Sequence, residues 1–310
     1  MALIHHFQCI FPELTQHKAT AAPVLALGLQ KYPFLLDAAL AVSASHSRHQ
    51  VIQKDKYTIA ECHQQLQTIP GFNEAMKQSL NQELADALVL TSVFLGILTF
   101  SCIDISADVG DSWLFSNDPQ ALGWFSLNLG LKVLIERTAS YQTNSILDWM
   151  YTGSDNDSGT FYGNHSMRIN SKIPQHWREF LRLHSPEAME VFGEPARFLT
   201  EIRELQPTAQ FAPMYANFVG ALDVEFRFRN LLLQRDERAI WLLGYWMGLL
   251  CRLDCWWMRG RAQLEWQATC MWMEERVWKL DCDFKSRELH RKMRDELHQA
   301  NIFKERVELI

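Results

Sequence analysis

The chain lacks most of the short patterns that announce a chemistry. GxSxG, HExxH, GxGxxG and DDxxD are all absent, which disfavours serine hydrolases, zincins, dinucleotide enzymes and metal-dependent cyclases that ionise a diphosphate. No cofactor is implied. The seven cysteines stand at 9, 62, 102, 251, 255, 270 and 282, with no CxxC pair and no Cys/His spacing suited to zinc, so no metal site is expected. An odd, scattered set points to reduced thiols inside a cell. An excess of positive charge is missing too: 30 Lys and Arg face 36 Asp and Glu, for a net charge of −6. The basic stripe that phosphate contacts require is not there, so no direct nucleic-acid binding is expected. The opening MALIHHFQCIF has no basic region ahead of a long apolar run, so no secretory signal is read.

Long hydrophobic runs are scarce. Residues 87–103 and 239–251 carry no charge, but they fall at or below the roughly 17 to 25 residues needed to span a bilayer. Acidic Asp86, Asp104 and Asp108 flank the first run, where membrane anchors are usually basic. Both runs are therefore expected to be buried core helices, and no membrane span is expected.

What is present is helix signal, almost throughout. Phe34 to His49 is Ala-rich and follows Pro33, a good first-turn residue. Lys56 to Gln67 repeats apolar positions at helical spacing and is expected to stop at Pro70-Gly71. Asn73 to Ile103 reads as one helix or two, and Asp118 to Ala139 as another. After Gly153 to Asn170, a Gly/Ser/Asn/Asp-rich loop, helical signals resume over Pro174 to Leu183, Ala188 to Leu205, Tyr215 to Gln234 and Glu274 to Leu309. The economical reading is one all-α domain over residues 1–310, with two helical halves hinged at the loop as the alternative.

The most unusual stretch is Ala239 to Met273, AIWLLGYWMGLLCRLDCWWMRGRAQLEWQATCMWM, which holds six of the eleven Trp and four of the eleven Met. It has helical length and no proline, and its bulky residues are too crowded for one face, so burial all round is expected. Arg252, Asp254, Arg259 and Arg261 within it then need partners or a ligand. A carboxyl such as Asp254 in apolar surroundings has a raised pKa and can act as a general acid or base. Asp223, close to Arg227 and Arg229 in ALDVEFRFRN, is a second such carboxyl. The alternative for both is a structural ion pair. His46 and His49, three apart on a helix, are candidates for acid/base work or, with a third ligand, metal binding.

The segments ALIHHFQCIFPEL, YPFLLDAALAVSASHSRH, YTIAECHQQLQ and WLLGYWMGLLCRLDCWWMRG resemble the C-terminal effector domain of fungal zinc-cluster transcription factors of the sterol-uptake-regulator (Upc2-like) type. The matching positions are Ile4, His5 and His6, Pro33 through His46, and the pair Trp256 and Trp257. The resemblance implies an all-α fold with an internal hydrophobic pocket, association as a homodimer, and a sterol-like ligand. The regulators' six-cysteine zinc module is not found within this sequence, which leaves two readings open: a trimmed regulator or a stand-alone protein. The leading expectation is binding of a sterol-like, terpenoid or polyketide molecule by Trp246, Met247, Leu250, Cys251, Arg252, Trp256, Trp257, Met258 and Arg259, with Phe94 from the 87–103 helix. The alternative is a cofactor-independent cyclase, pericyclase or isomerase using the same pocket, with Asp254, Asp223 or His46 assisting.

Overall fold

The computed structural model describes residues 2–15, 21–51, 55–103, 107–143, 145–147, 172–209, 212–222, 225–276 and 284–303. Every regular element among them is a helix, and no strand occurs. The chain divides into two compact units. The first comprises Met1–Ile103 with Trp124–His165, and the second Asp104–Gly123 with Ser166–Ile310. The 153–170 loop lies outside the described residues. The division departs from a hinge at that loop alone, because residues 104–123 belong to the second unit while the chain on either side belongs to the first.

In the first unit, α1 (Ala2–Thr15), α2 (Ala22–Gln30), α4 (Asp55–Ala75) and α5 (Gln82–Ser101) surround α3 (Pro33–Gln50), and α6 (Gly123–Arg137) completes the set. Pro33 occupies the first turn of α3, where its missing N–H costs nothing. Small side chains then let neighbours approach from every side: Ala38, Ala39, Ala41 and Ala44 are all buried. Gly28 of α2 is one such contact, since a Cβ there would stand 2.9 Å from the Leu36 backbone nitrogen. Asn81 caps α5 by accepting the Leu84 N–H at 2.9 Å. This is the one described helix long and apolar enough to cross a membrane, and it is almost entirely buried inside the protein as a core helix. The expected stop at Pro70 is corrected: α4 continues to Ala75. Gly71 lies against Phe34, whose Cβ is 3.0 Å from where a Gly71 Cβ would be, and Phe72 sets its ring edge-on to Phe34. Packing on α3 thus carries the chain past a residue that interrupts the helical ladder.

The second unit contains α7 (Gln175–Phe180), α8 (Pro186–Ile202), α9 (Ala212–Ala216), α10 (Arg227–Leu233), α11 (Glu237–Leu250), α12 (Arg259–Arg276) and α13 (Phe284–Gln299). The segment 104–123 contributes 3-10 turns at Val109–Asp111 and Pro119–Leu122. The expected continuous helix over Ala239–Met273 is instead an antiparallel pair, α11 and α12, joined by a turn at residues 251–258. Two glycines set their spacing. A Cβ on Gly244 would meet Thr269 Cγ2 at 2.3 Å, and one on Gly248 would meet Ala300 Cβ at 2.6 Å and Trp266 Cδ1 at 2.9 Å. The expected helix over Tyr215–Gln234 is likewise divided, into α9, a 3-10 turn at Asn217–Ala221, and α10.

Candidate functional site

The expectation of burial all round holds for α11 and is corrected for the rest of the Trp/Met stretch, where Asp254, Arg259, Gln267 and Met271 are exposed because the chain turns and α12 shows one face to solvent. Asp236 caps α11 by accepting the N–H groups of Arg238 and Ala239, and every residue from Ala239 to Leu250 is buried. Its aromatic rings pack on one another: Trp241 and Tyr245 stack at 5.0 Å, Trp177 stands edge-on to both, and Phe218 stacks on Trp246 at 4.9 Å. Three of the indole N–H groups find main-chain acceptors. Trp241 donates to Met293 O at 3.0 Å, Trp246 to Tyr215 O at 2.7 Å, and Trp266 to Leu297 O at 2.9 Å. Trp246, Met247 and Leu250 are thus enclosed by protein, with accessibilities of 1% or less.

The charged residues of the stretch behave differently from one another. Arg252 Nε donates to Ala300 O at 2.6 Å, just beyond the C-terminus of α13, and its Nη1 donates to Arg203 O at 3.0 Å, the C-cap of α8. One guanidinium therefore serves two helix ends whose carbonyls have no partner within their helices, where a cation also complements the helix dipole. Asp254 is corrected: its side chain is fully exposed at 102%, so water rather than an apolar wall surrounds this carboxylate. Arg259, itself 56% exposed, approaches it only to 4.0 Å, a surface pair worth about 0–1 kcal/mol. Trp256 and Trp257 are partly buried on the same turn, which also carries the buried Leu253 and Met258. Burial pushes the thiol of Cys251 up to about 12, so it is protonated near neutral pH and a poor nucleophile.

Phe94 and His46 belong to the first unit, and the tryptophans of the stretch to the second. Phe94 is buried with Phe7 edge-on at 5.6 Å. His46 joins a polar network through the core. Gln50 Nε2 donates to His46 Nε2 at 3.1 Å, so neutral His46 carries its proton on Nδ1 and donates it to His6 Nε2 at 2.8 Å. Burial first, then the nearby imidazoles His6 and His49, push the His46 pKa down to about 4. Both ring nitrogens are engaged, which suits a structural histidine rather than an acid/base catalyst. The neighbouring Arg48 donates to Glu61 Oε2 at 2.9 Å and to Ser101 O at 2.8 Å, and Ser45 hydrogen-bonds Ser101 at 2.8 Å. Asp223 lies outside the described residues.

A further buried carboxylate, not singled out from the sequence, is Glu265 on α12. It accepts from Ser112 Oγ at 2.5 Å and from Arg261 Nη1 at 3.3 Å, and burial pushes its pKa up to about 7. Arg261, expected to need a partner, thus finds it one turn along its own helix. The i, i+4 spacing was a visible signal, whereas the hydroxyl of Ser112, 153 positions earlier in the chain, was not. With 2% of its surface accessible, Glu265 is sealed from any substrate. Among the described residues no group of three or more His, Cys, Asp or Glu could hold a metal ion. No protein-family model matches the chain, and no curated protein or solved structure matches it.

Proposed function

We propose that the protein is an effector-type ligand-binding domain, of the kind its segments resemble in fungal sterol-uptake regulators, and that it takes a hydrophobic sterol-like, terpenoid or polyketide molecule. The observation that carries this reading is the turn at residues 251–258. There two tryptophans are partly exposed beside the closed aromatic core of α11, and the charged neighbours are either tied to helix ends or exposed. Large amphipathic rings at a sealed apolar boundary favour burial of a greasy ligand, worth about 25 cal/mol per Å² of apolar surface. Binding is favoured over catalysis because Asp254 is in water while His46 is locked in the other unit. The contact of His6 with His46 also supports the reading, since it joins the two N-terminal segments that carry the resemblance. An intracellular location fits the free thiols found at six of the seven cysteines. The homodimer is placed by this reading on α4, where Ile59, Cys62, Leu66 and Ile69 recur at 3-4-3 spacing and are exposed.

The test is titration with the fluorescent sterol dehydroergosterol, read as energy transfer from tryptophan. Saturable binding is expected, weakened by about tenfold or more in a Trp256→Ala/Trp257→Ala variant and unchanged in Asp254→Asn. Absence of saturable binding, or full affinity in the double variant, would overturn the proposal.

A further inference from the structure

A second feature of the second unit is unrelated to the aromatic turn. Arg182, Arg235, Asp236, Glu237, Arg238, Trp272 and Arg276 line an open cleft of about 320 Å³. Asp236 is occupied, because it caps α11 and also takes a two-pronged bond from Arg238 at 3.1 and 2.7 Å. That leaves three further arginines and Glu237 in the lining. Among the described residues none of Arg182, Arg235 and Arg276 has a carboxylate within ion-pair distance. Like charges gathered without counter-charges repel, and here the repulsion is felt: burial first and then Arg276 push the Arg235 pKa down.

The backbone adds an independent sign. Arg182 and Arg235 are two of only three described non-glycine residues with positive φ, at 57° and 59°. Each ends a short helix in the left-handed conformation, with the next residue's N–H bonded back across the turn, Leu183 to Arg178 O and Asp236 to Leu231 O. That is the position where glycine is the least strained residue. Two glycine positions hold arginine instead, and both open onto the same cleft. Strain of this kind, kept at one site, is the pattern expected when the side chain itself is needed. Arg235 is also anchored: its guanidinium lies 4.5 Å from the centre of the Trp113 ring and Nη2 donates to Trp113 O and Ser116 O. Its Nη1, by contrast, is buried and meets no acceptor among the described residues.

We propose that this cleft is a binding site for a small phosphoryl anion, a phosphomonoester or diphosphate group, held by Arg182, Arg235 and Arg276 beside Trp272. Planar guanidinium forks match the paired oxygens of a phosphoryl group. A single carboxylate offers too few oxygens for the forks of Arg182 and Arg276 together with the remaining Nη1 of Arg235. The volume stands at the small end of ligand sites, which suits a compact polyanion.

The test uses the full chain, with inorganic pyrophosphate as probe in calorimetry and thermal unfolding at constant ionic strength, and citrate as a carboxylate control. Saturable binding and a rise in Tm with pyrophosphate are expected. Arg182→Gly removes the charge and relieves the left-handed strain, so its own Tm is expected to be unchanged or higher while pyrophosphate affinity falls by about tenfold or more. Arg276→Ala, on an exposed side chain, is expected to weaken binding similarly without unfolding the protein. No saturable pyrophosphate binding, affinity unaffected by either variant, or equal binding of citrate would each overturn the proposal.

Discussion

The two units differ in emphasis in how they satisfy their buried polar groups: the core network of the first includes side-chain pairs beside main-chain bonds such as Arg48 to Ser101 O, while the Trp-rich helices of the second turn mainly to carbonyls. Those pairs include Arg48 with Glu61, Ser45 with Ser101, and His46 with both His6 and Gln50. In the second, several large donors turn to the main chain, although Trp177 and Arg197 find the carboxylates of Glu296 and Glu201. Trp241, Trp246, Trp266, Tyr215, Arg235 and Arg252 all donate to carbonyls, many at helix ends or turns. The cause lies in residue type. Indole and guanidinium groups donate without accepting, so two of them cannot satisfy each other and must find oxygens. Helix ends supply those oxygens. The serines, histidines and glutamines of the first unit both donate and accept, so they close into networks. A network depends on both partners, whereas a main-chain acceptor cannot be altered by changing a partner side chain.

That contrast can be broken most severely at Arg48. Arg48→Met leaves Glu61 buried without its counter-charge, and a loss of about 3–5 kcal/mol is expected in urea unfolding. Adding Glu61→Leu should recover most of it, because an apolar pair replaces the buried ion pair; failure to recover would show that the remaining network, not the pair, carries the stability. Arg252→Met in the second unit is expected to cost about 2–3 kcal/mol by freeing the Ala300 and Arg203 carbonyls. Here no second-site change at a partner side chain should restore it. A rescue of that kind would dissolve the distinction between the units.

Glu265, in a side-chain network with Ser112 and Arg261 within the second unit, gives the smallest effect. Its folded pKa of about 7 lies above the ordinary 4.5. Within that window the native state holds a proton that the unfolded chain releases, so this group's contribution to stability is present below the window and lost as pH rises through it. His46 acts in the opposite sense between 6.5 and about 4, where its contribution is lost as pH falls. Glu265→Gln keeps an acceptor for Ser112 but removes the titration, so Tm plotted between pH 5 and pH 7 should slope more steeply upward than in the wild type, by the equivalent of about 1–2 kcal/mol over the window. An unchanged slope would show that Glu265 does not titrate there.

Helices were legible in the sequence wherever composition and a start signal coincided. Pro33 ahead of the alanines placed α3 to within a residue, and the apolar run 87–103 lies in the mostly buried helix α5 as far as Ser101, with Cys102 and Ile103 beyond its end. The breaks were less legible. Nothing local in Cys251–Met258 forbids a helix, and the turn there follows from the Gly244 and Gly248 contacts that pair α11 with α12. Pro70 misled for the complementary reason, since its neighbours' packing on Phe34 outweighs a local preference. At the site, the need of Arg252 and Arg261 for partners was readable from charge among apolar residues. The partners of Arg252 were not, because carbonyls have no letter in a sequence. Asp254 was misjudged from its neighbours: in a continuous helix it would be enclosed, whereas in a turn it points outward.

The segment 104–123 has a consequence for how the protein is made. Ser112 and Trp113 emerge during synthesis more than a hundred residues before their partners Glu265 and Arg235. Until then a tryptophan and its apolar neighbour Leu114 have nowhere to dock. Because stretches of the first unit emerge both before and after this segment, neither unit is complete as an uninterrupted piece of nascent chain, and the second cannot close until its last helices arrive. Such long-range closure slows folding and lengthens the time that apolar surface is open to chaperones or to aggregation.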